Sequence, residues 1–515
     1  MSRLFLCPER YRYHGNMTTP FFALPIWLHN AVPEIQSLLP GLATLLHLSL
    51  ALAVTLHALL TRRNVSATVA WIGLAWLTPI VGALLYLMLG VNRIQRAGVA
   101  LDLKTAWQRE HQRAGSHVAA IGSAAGPDAP SSFALAGINR LARQTTGNAL
   151  LGGNAIKPLI NGDEAYPAML AAMESARHSI TLVTYIFDLD DVGRTFADAL
   201  VRAQQRGVQV RVLIDAVGAR YSHGRMVVYL NSGGVTAAAF LPPRFLGLLA
   251  HANLRNHRKI MVIDGVQGFT GGMNIRAGHW LARQPKSPVR CLHFSVRGPV
   301  VADMQRAFAI DWAFSTGEAL LGETWFAQAR DCGPVLARGV SDGPDGDIDH
   351  MRHVMLGALA CARQRVAIMT PYFLPDEVLL TTLQITALRG VTVDIVLPAR
   401  SNLPLMDWAM RPPMGRLLAA GCRVHLSPPP FDHSKMFLVD DAWSLIGSTN
   451  WDARSLRLNF EYNLECHDTQ LVTQLDTLLH MRMSEAETLD ATVLARQSLA
   501  GQLRDRLAGL LSPYL

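Results

Sequence analysis

Two long apolar runs open the chain, and beyond them the pattern changes to short apolar runs alternating with amphipathic stretches. Residues 41–60 (GLATLLHLSLALAVTLHALL) hold no formally charged side chain. At about 1.5 Å per residue they reach about 30 Å, the hydrocarbon thickness of a bilayer. Residues 68–90 (TVAWIGLAWLTPIVGALLYLMLG) are equally uncharged, with Pro79 placed to kink them. Together they predict a two-helix membrane hairpin over 41–91 that turns at Arg62–Arg63, preceded by a leader over 1–40. A secretory signal is the competing reading, but a second apolar run follows the first at once. Met17 is an alternative start. Arg93, Arg96, Lys104 and Arg109 follow the second run, which favours a cytoplasmic catalytic region. His47 and His57, inside the first run, read as structural or interfacial.

Residues 113–133 are rich in Gly, Ala, Ser and Pro without periodicity, so 92–150 reads as a linker. The remainder repeats itself. ARHSITLVTYIF (176–187) and FADALVRAQQRGVQVRVLIDAVGA (196–219) find their match in ARQRVAIMTPYF (362–373) and LLTTLQITALRGVTVDIVLPARSN (379–402). Each copy is a β-branched run, an amphipathic helix, an Arg–Gly–Val stop and a second apolar run. A glycine at a helix end accepts the left-handed turn that releases the chain into a strand. Strand–helix–strand of this length predicts parallel strands with a right-handed crossover. The pattern predicts an α/β fold of duplicated halves, 151–333 and 334–515, each a sheet flanked by helices.

Each half then delivers one polar constellation. NHRKIMVIDG supplies His257, Lys259 and Asp264; DHSKMFLVDD supplies His433, Lys435 and Asp440. Both read H-x-K-x4-D, and strand alternation puts His and Lys on one face. Small-residue turns follow, ending at Asn274 and Asn450, the latter just after Ser448. Two copies at equivalent places of a repeat point to one joint site. The chemistry that fits is phosphoryl transfer. Two lysines neutralise nonbridging oxygens. One imidazole attacks phosphorus, and the other protonates the leaving oxygen and then deprotonates the incoming alcohol. Ser448, Asn274 and Asn450 are candidate donors to phosphate. The scheme calls for no metal or cofactor. The acidic cluster Asp188, Asp190 and Asp191 can be read as a metal site or as helix caps, and capping is the commoner use.

Composition narrows the setting. Hydrophobic residues make up 50% of the chain and charged residues 17%, against about 25% charged in ordinary soluble proteins. The mean hydropathy is +0.19. The net charge of +8 favours anionic partners, and the apolar composition turns that preference toward a membrane. Six cysteines without metal spacing read as free thiols.

The paired motifs resemble the phospholipase D superfamily, and closer matching points to the bacterial cardiolipin synthase family. RNHRKIMVIDG, TGGMN, TPYFLPD and above all GSTNWDARSLRLNFEYN (447–463) carry the resemblance, which covers most of the chain. It implies two halves meeting at a pseudo-two-fold with one shared site. It implies His257 as nucleophile and His433 as general acid/base, with two phosphatidylglycerols giving cardiolipin and glycerol at a bacterial inner membrane. Glu461, in NFEYN, matches the carboxylate expected to orient the second histidine. Its first-half counterpart falls on Cys291, where the family usually has aspartate. A thiol is a poor acceptor. Either another carboxylate substitutes, or the first histidine is less firmly held, or the roles are exchanged.

The motifs leave neighbouring functions open: another donor or acceptor such as phosphatidylethanolamine or ethanolamine, a hydrolytic phospholipase D, a nuclease, or a degenerate scaffold. Few aromatic stacking candidates accompany the motifs, which argues against nucleic acid. LPPRFLGLLA (241–250) and PLMDWAMRPPMG (404–415) read either as lipid-dipping loops or as core. RQSLAGQLRDRLAGLLSPYL (496–515) reads as a helix packed on the body or lying at the membrane surface.

Overall fold

The computed structural model describes residues 26–61, 65–78, 80–90, short stretches between 99 and 107, 133–222, 225–242 and 253–512. Residues 1–25 of the leader with Met17, the turn at 62–64, Pro79, most of the 92–132 linker and residues 243–250 of the apolar loop lie outside the described residues. Two units result, residues 1–91 and 92–515.

In the first unit one helix runs Ile26–Thr61, and its Leu39–Thr61 portion, of mean hydropathy 1.8, is the one described helix long and apolar enough to cross a membrane. The expectation of a second full span is not met. The second run forms a helix over Val65–Leu77, restarts at Val81–Leu85 and widens into a π-turn over Tyr86–Gly90. The break begins where Thr78 Oγ1 donates back to the Leu74 carbonyl (2.6 Å). His57 Nδ1 meets the Tyr86 hydroxyl at 2.7 Å, and Trp76 Nε1 donates to Thr55 Oγ1 at 3.0 Å, so these shorter segments pack on the long helix. His57 therefore has a structural partner.

The second unit carries the duplicated halves on one sixteen-stranded sheet. In the first half Ser179–Thr184, Gln209–Asp215 and Thr236–Phe240 run parallel, in that order, outward from the antiparallel pair Ile260–Ile263 and Gln267–Gly271. The second half repeats the arrangement with Arg365–Met369, Thr392–Pro398 and Arg423–Ser427 beside Met436–Val439 and Trp443–Gly447. The antiparallel pair Leu151–Ile160 and Val335–Asp342 joins the halves at the middle of the sheet. The crossover helices Asp191–Gln205 and Glu377–Leu388 each end at an arginine followed by a glycine in the left-handed region, Gly207 at φ 90° and Gly390 at φ 89°. This is the turn the two Arg–Gly–Val stops predict.

Two ambiguous stretches resolve. Residues 404–415 belong to the helix Pro404–Ala419, which buries Met406, Ala409, Met410, Met414 and Leu417, so this stretch is core. The helix Leu499–Gly509 packs against it through Asp505 and Ala508 and leaves Leu499, Leu503 and Leu507 exposed. Asp190 caps its helix by accepting from Gly193 N (2.8 Å), and Asp188 pairs with Arg276 (3.2 Å).

Candidate active site

Each histidine sits just before a buried strand, and each is docked on the opposite half. The two-residue strand Arg255–Asn256 pairs in parallel with Asn459–Phe460, and His257 N donates to the Phe460 carbonyl (2.9 Å). Phe431–Asp432 pairs in parallel with Val289–Arg290, and His433 N donates to the Arg290 carbonyl (2.8 Å). This crossed docking brings the two imidazoles together with ring centroids 6.4 Å apart. Both histidines are buried to 9% exposure.

The same register overturns one expectation. Glu461 lies behind the first histidine, not the second: its carboxylate accepts from His257 Nδ1 at 2.8 Å. Residue 461 directly follows Asn459 and Phe460, the part of its strand on which the other half's motif docks, so it serves His257 across the interface. Cys291 is its counterpart and stands on the His433 side. There His433 Nδ1 donates to the carbonyl oxygen of Gly272 (2.9 Å). A carbonyl can only accept, so this bond calls for the proton on Nδ1, to which Lys435 Nζ also lies close at 3.2 Å. The Glu461 contact does the same for His257.

Ser448 supports the carboxylate. Its hydroxyl donates to Glu461 Oε2 (2.5 Å) and accepts from Tyr462 N, while Asn459 Nδ2 donates to Oε1 (3.1 Å). Burial pushes Glu461 up to about 7, and those two donors together with the lysine charges work against the rise. Burial and the charges of Lys259 and Lys435 hold both imidazoles well below the usual histidine range. Burial also lowers Lys259 to about 7 and Lys435 to about 8. Each lysine Nζ rests 2.7 Å from the carbonyl of its own histidine. The site is a desolvated pair of cations that a bound phosphodiester would hold protonated.

The motif aspartates lie elsewhere. Asp264 ends the strand five residues beyond Lys259, with φ 50°, and accepts from the backbone of Arg177 (2.9 Å), His178 (2.7 Å) and Ser179 (2.9 Å). Asp440, at φ 53°, does the same for Arg363, Gln364 and Arg365. The expectation that they join the catalytic group is corrected: they anchor the far strand ends, where an Asx carboxylate satisfies a row of amides. Asn274 accepts from Ile186 N (3.2 Å), and Asn450 donates to Ser455 Oγ (3.2 Å) with its buried Oδ1 unpartnered.

Sequence reasoning missed several supports. Arg258 is fully buried; it donates to Asp311 (2.8 Å) and to the Glu461 carbonyl (3.1 Å), so it clamps the carboxylate's strand to the first half. Its place inside H-R-K was the available signal. Tyr185 and Tyr372 flank the histidines, with ring centroids 5.3 Å from His257 and 6.3 Å from His433.

The comparisons agree with this geometry. The family model described as cardiolipin synthase, PLD-like domain, matches residues 169–289 and 355–483, once per half, and a phospholipase D-nuclease N-terminal model matches 49–90. Cardiolipin synthase A of Pseudomonas putida (strain GB-1) is 33% identical over 92% of this chain and 97% of its own length. The cardiolipin synthase of Oceanobacillus iheyensis is 28% identical over 93% of this chain and 100% of its own. Among solved structures, phosphatidylserine synthase of Haemophilus influenzae Rd KW20 superposes with a TM-score of 0.57 over 73% of this chain and all of that one, at 17% identity, a likeness of fold. With the paired motifs, the duplicated sheet and relatives matched along nearly their whole length, the chain belongs to the cardiolipin synthase family of phospholipase D-like phosphatidyltransferases.

Proposed function

We propose that the chain condenses two phosphatidylglycerol molecules into cardiolipin and glycerol through a phosphohistidine on His257. The observation that carries this reading is the crossed pair of imidazoles, with a carboxylate behind one and a carbonyl behind the other. His257 Nε2 attacks the phosphorus of the donor lipid while the phosphorus–oxygen bond to its glycerol headgroup breaks. His433, protonated at Nε2, gives its proton to that oxygen. A hydroxyl of the second phosphatidylglycerol then gives its proton to His433, its oxygen attacks phosphorus, and the phosphorus–nitrogen bond breaks. Glu461 balances the positive charge that His257 gains on phosphorylation. Lys259 and Lys435 meet the nonbridging oxygens, where their low dielectric surroundings strengthen the attraction. The bound phosphodiester raises the His433 pKa, which supplies the proton the first step needs. Membrane attachment through the N-terminal unit keeps the site among its substrates. The excess of basic residues after the apolar runs supports a cytoplasmic catalytic face.

Purified protein in mixed micelles with labelled phosphatidylglycerol tests this by lipid chromatography. Cardiolipin and glycerol are expected from the wild type and neither from His257→Ala or His433→Ala. Phosphatidic acid as the sole product would make the chain a hydrolase instead.

A further inference from the structure

A surface helix ordinarily turns its leucines toward the body and its charges toward water. The helix Leu499–Gly509 does the reverse. Asp505 and Ala508 are its buried residues. The Asp505 carboxylate accepts from Gln497 Nε2 (2.6 Å), Arg504 Nη2 (2.7 Å) and Arg411 Nη1 (3.4 Å), and the last of these ties the helix to Pro404–Ala419. Leu499, Leu503, Leu507 and the C-cap Leu510 are instead 75%, 55%, 58% and 74% exposed. Steps of four, four and three residues put these four on one stripe. Rolling the stripe onto the body would pull Asp505 out of its bonds, so the leucines stay outside. Arginines border them. At about 100° per residue, Arg506 falls on one side of the stripe and Arg504 on the other. Arg504 pairs with Asp505 and lies over the Trp408 ring at 4.7 Å. Arg506, and Arg496 in the turn that leads into the helix, are exposed and form no ion pair among the described residues.

We infer that this stripe is a membrane contact separate from the N-terminal unit: the helix lies along an anionic lipid surface, with its leucines among the acyl chains and Arg496 and Arg506 at the lipid phosphates. Leucines flanked by arginines are what an interfacial helix presents to a bilayer. A bilayer is flat and fluid and asks for no matching groove, which suits a single convex stripe. A second copy of the chain fits less well. Docked across a two-fold it would set stripe on stripe and bring the arginine borders of both chains together, where like charges repel. Anionic lipid meets those borders with the opposite charge, in keeping with the net charge of +8. The Leu39–Thr61 helix is long and apolar enough to cross a membrane. With the chain held there, a second contact needs little affinity of its own, because the tether keeps the lipid surface at high effective concentration. The inference concerns a surface of the second half and does not depend on which reaction the site performs.

Amide hydrogen exchange of the full chain tests it, in nanodiscs of phosphatidylcholine alone and of phosphatidylcholine with an equal part of phosphatidylserine, an anionic lipid outside the proposed reaction. In the wild type, residues 499–510 are expected to exchange about tenfold more slowly in the anionic discs than in the neutral ones. The double variant Leu503→Glu, Leu507→Glu should lose that slowing, and Arg496→Gln with Arg506→Gln should lose most of it. Exchange of the core strand Arg365–Met369 in the same samples reports whether each variant is folded, and the two variants alter different residues, so a fault in one leaves the other to decide. Equal exchange in the two lipids, or slowing that survives both sets of substitutions, would overturn the lipid contact. Slowing that follows the number of chains per disc, in place of the lipid charge, would assign the stripe to a second copy.

Discussion

Behind His257 stands a carboxylate; behind His433 stand a peptide carbonyl and a thiol. The two seats are built on the same strand register, so the difference is one of chemistry. Glu461, supported by Ser448 and Asn459, offers a carboxylate to an imidazole that would become cationic on phosphorylation in the proposed mechanism. The Gly272 carbonyl offers orientation and only a dipole to an imidazole that exchanges a proton. Burial pushes the Cys291 thiol up to about 12, so it brings no charge to its side. The asymmetry favours His257 as the group that carries covalent charge and His433 as the proton carrier. It also removes the need for a substitute acid near Cys291, because the first histidine is held by the second half.

The largest effect should follow from removing that charge. Glu461→Gln keeps the volume and a hydrogen-bond partner for His257. Cardiolipin formation should fall about a hundred- to a thousandfold, the scale of a lost electrostatic partner in a preorganised site. The melting temperature should change little, and single-turnover labelling of His257 should slow with kcat. A fall under about threefold would mean that the two seats are functionally alike.

Gly272→Ala attacks the other seat. A Cβ there would stand 2.6 Å from the His433 carbonyl oxygen and 2.8 Å from Cys291 Sγ, too close for either to remain. We expect a loss of about 1–3 kcal/mol in stability and at least a tenfold loss of transfer from the misplaced imidazole. Smaller damage in the double variant Gly272→Ala, Cys291→Ala than in the single one would locate part of the strain at the thiol. Equal damage would place it on the backbone.

These two seats also show what could be read from the chain. The duplicated halves, their parallel strands and the helix-ending glycines follow from local periodicity and local turn chemistry, and Gly207 and Gly390 adopt the conformation their position demands. The histidines and lysines were legible because both motifs repeat. The pairing of Glu461 was not, since it depends on the parallel registry of Asn459 with Arg255, a contact between residues 204 positions apart. Read along the chain, Glu461 lies nearest His433; read across the interface, it belongs to His257. The motif aspartates misled for a related reason. A spacing shared by two motifs records a shared strand, and its last residue can serve the strand end instead of the site. The second apolar run was long enough by composition, but its helix stops at Leu77 and restarts at Val81, a division that hydropathy does not contain.

Cys291→Asp would give the second seat the charge it lacks. A carboxylate beside an imidazole favours the protonated form, so the His433 pKa should rise by about 1–3 units. In the proposed mechanism His433 is protonated when it expels glycerol, so the alkaline limb of kcat/KM should move to higher pH while the acid limb stays. Movement of the acid limb instead would reverse the roles of the two histidines.

The smallest effect lies in the lysines, which differ between the seats. Lys259 is lowered to about 7 and Lys435 to about 8, both by burial, and Asp432 and Asp452 help to hold the second one higher. In the unfolded chain each returns to about 10.4. Between those values the unfolded chain binds protons that the folded one does not, so raising the pH stabilises the fold. Below about 7 both states hold the protons and the desolvation cost is fully present; above about 10.4 neither does and the cost is gone. The melting temperature of the substrate-free enzyme should therefore climb from about pH 7 toward pH 10, the Lys259 contribution beginning about one unit before that of Lys435. Lys259→Met should flatten the lower part of the climb and Lys435→Met the upper part. Indistinguishable profiles for the two variants would show that the lysines share one protonation equilibrium, and that the asymmetry of the seats stops at the histidines.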